Sequence, residues 1–358
     1  MDIYKNFVSG TLASNGNQRI LRSSRKNAVR TGCVFIRVSA GGEYEYTFAF
    51  SDAIDSTFGN GNDSHCNDLC TGWKINSLQY AVTSGAASAD VKCAEFAPLY
   101  FGGEKSAAVN GIINTDPVRI NVQKDAYICL KICFSGKKVP YHHESTIALF
   151  RKAGRGWKES PELPVPVFTG VKRQVKRRVG FIGDSITQGC GTTKNGYKQY
   201  AAVAAQKLGE DFAFWDMGLG YARGSDAATD GGWLNRAKQN DITCVCFGVN
   251  DILQGHDADT VKKDLETIVD RLKEAGVKVI LQTVPPFDYD EKNTETWLEI
   301  NRYIKSELRE KADAVFDTSE ILSADGVDTP RSKYGSHPND EGHRVWGEKL
   351  AETIKIVV

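Results

Sequence analysis

The stretch Val179-Gly180-Phe181-Ile182-Gly183-Asp184-Ser185-Ile186-Thr187-Gln188-Gly189 decides how the C-terminal half of this chain reads. Val179, Phe181 and Ile182 suit the end of a buried parallel strand, and Gly183 and Gly189 permit tight turns on either side of a small hydroxyl. Ser185 is therefore expected at the carboxyl end of a strand and beside a helix N-terminus. Open α/β sheets place their ligands there, and free N–H groups there meet negative charge. Taken alone, Gly-Asp-Ser also reads as a helix cap ahead of the run ending at Leu208.

Two further segments change that balance. Ile242-Thr243-Cys244-Val245-Cys246-Phe247-Gly248-Val249-Asn250-Asp251 is an apolar, β-branched run that ends in Gly-x-Asn-Asp. Ser336-His337-Pro338-Asn339-Asp340-Glu341-Gly342-His343 precedes a helical stretch from about Arg344 to Ile356. Serine, asparagine and histidine thus arrive in order at the ends of separate elements. These three segments resemble the blocks of the SGNH hydrolases, also called GDSL esterases or lipases. Gly183-Asp184-Ser185 matches the nucleophile block, Gly248-Val249-Asn250-Asp251 the asparagine block and His337-Pro338-Asn339 the histidine block. The likeness runs from about Arg177 to Val358 and does not reach the first half.

The chemistry agrees with the resemblance. A serine hydroxyl is a poor nucleophile until a base within hydrogen-bond reach takes its proton. His337 is the candidate base, since imidazole titrates near neutrality and can return the proton to a leaving alcohol. The resemblance implies an oxyanion hole built from the Ser185 backbone N–H, the Asn250 amide and a backbone N–H of a further block. That block is Asp216-Met217-Gly218-Leu219-Gly220-Tyr221-Ala222-Arg223-Gly224. Here Asp216 stands where family members carry an asparagine. Gly218 and Gly220 compete for the donor role, with Gly220 preferred, and a shift of one would assign it to the Tyr221 backbone.

A second departure concerns the acid that orients the histidine. Family members place an aspartate three residues before it, and that position is Tyr334. The sequence leaves open a Ser-His dyad or a carboxylate from elsewhere, with Asp325, Asp328 and Glu144 as candidates, so the acid partner stays unassigned. Loss of that group lowers the rate without abolishing the chemistry. His343 reads as a helix-face residue and Cys190 as a packing cysteine.

Periodicity supplies the scaffold. Gly196 to Leu208 and Asp257 to Gly276 have helical spacing, the latter through Val261, Leu265, Ile268, Val269 and Leu272. Trp297, Ile300, Ile304 and Leu308 form another helical face. Val277 to Val284, stopped by Pro285-Pro286, and Ala314 to Phe316 read as strands. Such alternation predicts a three-layer α/β/α domain of flavodoxin-like character over 177–358. Residues 1–165 instead show short β runs at Val34 to Val38, Tyr44 to Phe50, Val118 to Val122 and Ala126 to Phe134, predicting an all-β jelly-roll-like sandwich. The proline-bearing, basic stretch 166–176 reads as a linker, its charges solvated.

The 358 residues balance 45 basic against 45 acidic side chains, which argues against a nucleic-acid partner. No run approaches the roughly 18 apolar residues of a membrane span, and Met1-Asp2-Ile3-Tyr4-Lys5 lacks a signal-peptide core, so a cytoplasmic enzyme without a membrane partner is expected. An odd count of 9 cysteines favours free thiols. His65, Cys66 and Cys70 lack a second ligand pair, and neither a metal nor a cofactor is expected. The expected substrate is a small-molecule or oligosaccharide ester, with removal of O-acetyl groups from carbohydrate as the first reading. Alternatives are a short-chain carboxylesterase or lysophospholipase-type enzyme, an acyltransferase, and a non-catalytic carbohydrate-binding protein. Trp73, Trp157 and Trp233 read by default as buried core aromatics, with stacking on sugar as the alternative, and His142, His143 and Glu144 read as a polar cluster on a solvated loop.

Overall fold

The computed structural model describes residues 3–23, 28–57, 68–70, 72–85, 95–142 and 146–358. The chain packs as two compact units, Met1–Ser56 with Asn67–Gln174, and Thr57–Cys66 with Val175–Val358.

Within the first unit the described strands pair antiparallel. One sheet runs in the order Gly156–Glu159, Ala148–Ala153, Arg30–Arg37, Tyr127–Gly136, Trp73–Thr83 and Ala97–Leu99, with Ala107–Val109 also on Trp73–Thr83. A second joins Val8–Ser9, Phe168–Lys172, Gly42–Ser51 and Ile112–Asn114, with Val118–Val122 also on Gly42–Ser51. Strand alternation buries one set of side chains, so that Phe35, Cys129, Ala148 and Phe150 form one core cluster. Phe50 of the second sheet meets Trp73 of the first edge-on, with ring centroids 6.5 Å apart.

The linker expected over 166–176 needs correction. Phe168–Lys172 is a strand held between Val8–Ser9 and Gly42–Ser51. Its apolar residues decide the matter: Phe168 and Val171 are buried, while Lys172 reaches across the pair to Glu45 at 3.0 Å. The prolines end the preceding loop, and Lys176 beyond the strand pairs with Asp211 at 2.6 Å.

The second unit carries an all-parallel sheet of 5 strands. In chain order they are Arg177–Gly183, Phe212–Asp216, Ile242–Cys246, Lys278–Gln282 and Ala314–Phe316, and in space they lie 2-1-3-4-5. That order reverses direction between the first and third strands, and the crevice there is where such sheets bind ligands. Val179, Phe181 and Ile182 are fully buried between neighbours on both sides. Helix Ala258–Glu274 starts where the Asp257 side chain accepts the Thr260 N–H, and it buries Val261, Leu265, Ile268, Val269 and Leu272. Helix Glu291–Lys305 buries Trp297, Ile300 and Ile304 but stops before Leu308, which lies in a short 3₁₀ turn. The last helix, Asp340–Val357, begins earlier than its apolar pattern because the Asn339 side chain caps it through the Glu341 and Gly342 N–H groups.

Gly183 ends the first strand where no side chain fits. A Cβ there would lie 2.1 Å from Thr187 Oγ1 and 2.5 Å from the Cys246 carbonyl oxygen, which is backbone and cannot turn away. Gly183→Ala is expected to destabilise the second unit by about 3 kcal/mol, the upper part of the range for overpacking, read as a lower urea midpoint.

Candidate active site

Ser185 opens the short helix Ser185–Gln188 directly after the first strand. Asp184 caps that helix, its Oδ1 accepting the Ile186 N–H at 2.9 Å. Burial pushes the Asp184 carboxyl up to about 7, against the Ile186 and Thr187 N–H groups that hold it down. This cap fixes the backbone on which the Ser185 hydroxyl stands.

The loop 334–339 brings His337 to that hydroxyl. Ser185 Oγ and His337 Nε2 lie 2.8 Å apart, although 152 residues separate them. A proton can pass between them at this distance without further movement. The Phe287 ring meets the imidazole edge-on, with centroids 5.2 Å apart. Desolvation by such packing lowers the His337 pKa below its ordinary value and keeps the ring neutral, and therefore basic, near pH 7. Thr193 ties the loop after Ser185 to the helix after His337, its N–H and Oγ1 donating to the two Asp340 carboxylate oxygens at 2.7 and 2.6 Å.

Asn250 lies in the helix Val249–Leu253, which follows the third strand. Its Nδ2 donates to the Ala222 carbonyl at 3.0 Å and lies 3.5 Å from Asp184 Oδ2. The amide thereby spans the serine block and the loop that follows the second strand. That loop runs alongside the first strand, with the Met217 N–H on the Phe181 carbonyl at 2.9 Å and the Leu219 N–H on the Gly183 carbonyl at 3.0 Å.

The same loop separates the two glycines. Gly218 gives its N–H to Asp216 Oδ1 at 3.0 Å, so that N–H is committed inside the protein. A Cβ on Gly218 would lie 2.2 Å from the Gln188 nitrogen, so its role is close approach to the serine helix. Asp216, standing where the family carries asparagine, is buried and braces this turn, and burial pushes its carboxyl up to about 7. Gly220 sits two residues on, and its carbonyl accepts from the hydroxyl of Thr57, a buried residue that packs with the second unit. Tyr221 has φ +61 and an exposed ring.

Two of the candidate acids face other side chains. Asp325 faces Arg331 and Asp328 faces Lys305, each at 3.9 Å. Glu144 lies outside the described residues, as do His143, His65 and Cys66. Tyr334 supplies a carbonyl to the Asn339 N–H at 3.1 Å and carries no carboxylate to the imidazole. His343 is buried, with Nδ1 accepting the Tyr200 N–H at 3.0 Å and burial lowering its pKa to about 4. It stacks in line with Tyr200 and Trp346. Trp73 and Trp233 are buried, Trp233 donating to the Met217 carbonyl at 2.8 Å, and neither is free to stack on a ligand. Trp157 is half-buried under Lys152. His142, read as part of a polar cluster, is buried in a strand, 3.0 Å from Gln18 Nε2 and 3.1 Å from the Asn15 carbonyl. Among the described residues no helix is long and apolar enough to cross a membrane.

Phe287, Asp288, Thr57, Thr193 and Ser336 escaped the sequence reading. Asp288 had one signal, its place just beyond the Pro285-Pro286 stop, but nothing in the sequence joins it to a loop over 40 residues away.

Known proteins supply the remaining comparison. Residues 181–345 match the GDSL-like Lipase/Acylhydrolase family. No curated protein matches the chain. Solved structures similar to it include a carbohydrate acetylesterase from Sinorhizobium meliloti, at 18% identity and TM-score 0.41 over 51% of this chain and 100% of that one. An aryl esterase from M. smegmatis is similar at 19% identity and TM-score 0.41, over 51% of this chain and 100% of its own. A member of the lipolytic G-D-S-L family from Veillonella parvula matches at 21% identity and TM-score 0.43, over 50% of this chain and 98% of its own. On the family match, residues 181–345 of this chain are a GDSL-like lipase/acylhydrolase domain, which makes the protein a serine ester hydrolase.

Proposed function

We propose that this protein removes short acyl groups, acetyl above all, from carbohydrate esters, with Ser185 as nucleophile and His337 as general base. The observation that carries the reading is the 2.8 Å contact between Ser185 Oγ and His337 Nε2 at the switch point of a parallel sheet. Ser185 attacks the ester carbonyl as His337 takes its proton. The tetrahedral oxyanion is met by the Ser185 N–H, the Asn250 amide and a backbone N–H at Gly220. His337 then protonates the leaving sugar hydroxyl, and water repeats the sequence to free acetate. The Gly218 N–H is given to Asp216, and the donor role of Gly220 follows from the family resemblance.

The carbohydrate part rests on a pairing. The hydrolase domain follows a strand-built first unit, here read as a jelly-roll-like sandwich, and the family resemblance associates that arrangement with acylated carbohydrate. The hydrolase unit itself is read as three layers, helices covering both faces of its sheet. The deciding experiment compares kcat/KM on an acetylated oligosaccharide with p-nitrophenyl acetate and p-nitrophenyl octanoate. Preference for the sugar ester, with octanoate slowest, supports the proposal. Preference for octanoate would make the enzyme a lipase-type acylhydrolase. Acetyl transfer to added sugar in place of acetate release would make it an acyltransferase.

A pH profile follows from the same roles. Burial lowers the His337 pKa, and only neutral imidazole accepts the serine proton. Activity is therefore expected to persist down to pH 6.5, the ordinary histidine value, and to fall as pH drops below it. Asp184, pushed to about 7, titrates nearby, so Asp184→Asn separates the two groups. If His337 sets the limb, kcat/KM of that variant falls at the same pH as in the wild type.

A further inference from the structure

The histidine loop has a carboxylate at its root in place of one on the ring. Among the described residues, His337 has Ser185 on Nε2 and Phe287 at its edge, and no carboxylate bonds to Nδ1. Asp288 follows Phe287 directly and holds both ends of the turn that leads into the histidine. Its Oδ1 accepts the Ser332 N–H at 2.9 Å, and its Oδ2 accepts the Ser336 hydroxyl at 2.7 Å. Its own N–H donates to the Pro330 carbonyl at 2.8 Å, and Ser332 Oγ donates to the Pro286 carbonyl at 2.9 Å. One short segment thus bonds to residues 330, 332 and 336 and packs against 337.

The arm that carries Asp288 is stiff. Val284 is fixed through both backbone groups, its N–H to Asn301 Oδ1 at 2.7 Å and its carbonyl to Asn301 Nδ2 at 2.9 Å and Trp297 Nε1 at 2.7 Å. Two buried prolines with preset φ follow. Asp288 itself has φ +52, a left-handed conformation that aspartate and asparagine adopt more readily than other side chains. A left-handed backbone, a stiff arm and two bonds from one carboxylate converge on the turn ahead of the imidazole.

We propose that Asp288 is the positioning residue for His337, holding through Ser332 and Ser336 the orientation that the family's acid imposes on the ring directly. The inference rests on the reading of His337 as the base, and it assigns that part of the site to a residue outside the family's blocks. Misplacement of a catalytic group by about 1 Å costs on the order of 100-fold in rate.

The test compares the wild type with Asp288→Gly, Asp288→Asn and Ser336→Ala. Glycine keeps the left-handed backbone and deletes the carboxylate. Asparagine can still accept from the Ser332 N–H and can donate to Ser336 Oγ. Expected on p-nitrophenyl acetate is a kcat lowered about 10- to 100-fold by Asp288→Gly and by Ser336→Ala, with KM changed less than about 2-fold. The double variant carrying Asp288→Gly and Ser336→Ala is expected to fall no further than Asp288→Gly alone, and Asp288→Asn to stay within about 3-fold of wild type. In parallel, the ¹⁵N imidazole resonances of His337, assigned by loss in His337→Gln, should move in Asp288→Gly and not in Asp288→Asn. Wild-type kcat with unmoved resonances in Asp288→Gly would overturn the proposal. So would Asp288→Asn as impaired as Asp288→Gly, since charge and not position would then matter. Should Asp288→Gly fail to fold, Ser336→Ala decides: wild-type kcat in it overturns the clamp, and a lowered kcat at unchanged Tm supports it. An enzyme that turned over no ester would sink the esterase reading, while the resonances would still decide whether Asp288 holds the histidine.

Discussion

Ser185→Ala is expected to lower kcat on an acetyl ester by about 10⁴- to 10⁶-fold, with KM little changed and the fold intact. Without the hydroxyl there is nothing for His337 to deprotonate, and water must attack unassisted from an unprepared position. His337→Ala is expected to cost nearly as much, because Ser185 then keeps its proton at neutral pH. Removing both residues should cost little more than removing either, since on the proposed mechanism the two side chains, 2.8 Å apart, act as one unit. Single-turnover kinetics on p-nitrophenyl acetate, together with Ser185 labelling by a fluorophosphonate, checks all three variants. Losses that simply multiplied in the double variant would mean that the two side chains act in separate steps. Full turnover in Ser185→Ala would remove the mechanism altogether.

Asn250→Ala should produce the next largest loss, about 10²- to 10³-fold and mainly in kcat. An oxyanion donor is used most in the transition state, so its removal leaves ground-state binding, and hence KM, nearly untouched. The amide also bridges the Ala222 carbonyl and, at 3.5 Å, Asp184 Oδ2, so alanine loosens the join between two blocks of the site. Asn250→Asp separates the two contributions. It keeps the shape, replaces the donor with an acceptor and sets a second carboxyl beside the buried one of Asp184. We expect it to be no more active than the alanine variant. An Asn250→Asp enzyme with near wild-type kcat would show that the residue spaces the loops and donates nothing to the oxyanion.

How far the chain could be read in advance differs from element to element. The strand through Val179, Phe181 and Ile182 and the helix through Val261, Leu265, Ile268, Val269 and Leu272 were legible because their burial repeats with a local period. The start of the last helix was not, because its first turn is polar and is set by the Asn339 cap. The stretch 166–176 misled because prolines and basic residues mark loops only on average. Phe168 and Val171 instead entered a sheet between partners about 120 to 160 residues earlier in the chain. Trp73 and Trp233 are buried, as the default reading of core aromatics had it, and the alternative of stacking on sugar falls away for both.

By itself the sequence determined the alternation of strands and helices after Arg177, the β-rich character of what precedes it, and the types of side chain at the serine, asparagine and histidine blocks. Period, turn residues and chemical type are properties of neighbouring residues, so they survive in a linear text. Only the tertiary structure decided that Ser185 and His337 stand 2.8 Å apart, that the Gly218 N–H is committed to Asp216, and that Asp288 grips the loop ahead of the histidine. Those facts depend on the strand order 2-1-3-4-5 and on long-range hydrogen bonds whose partners have no local signature. The acid position shows the division most plainly. The sequence shows a tyrosine at 334, and the fold brings a carboxylate from 288 to the turn before His337, because residues far apart along a chain become neighbours only when the sheet beneath them is assembled.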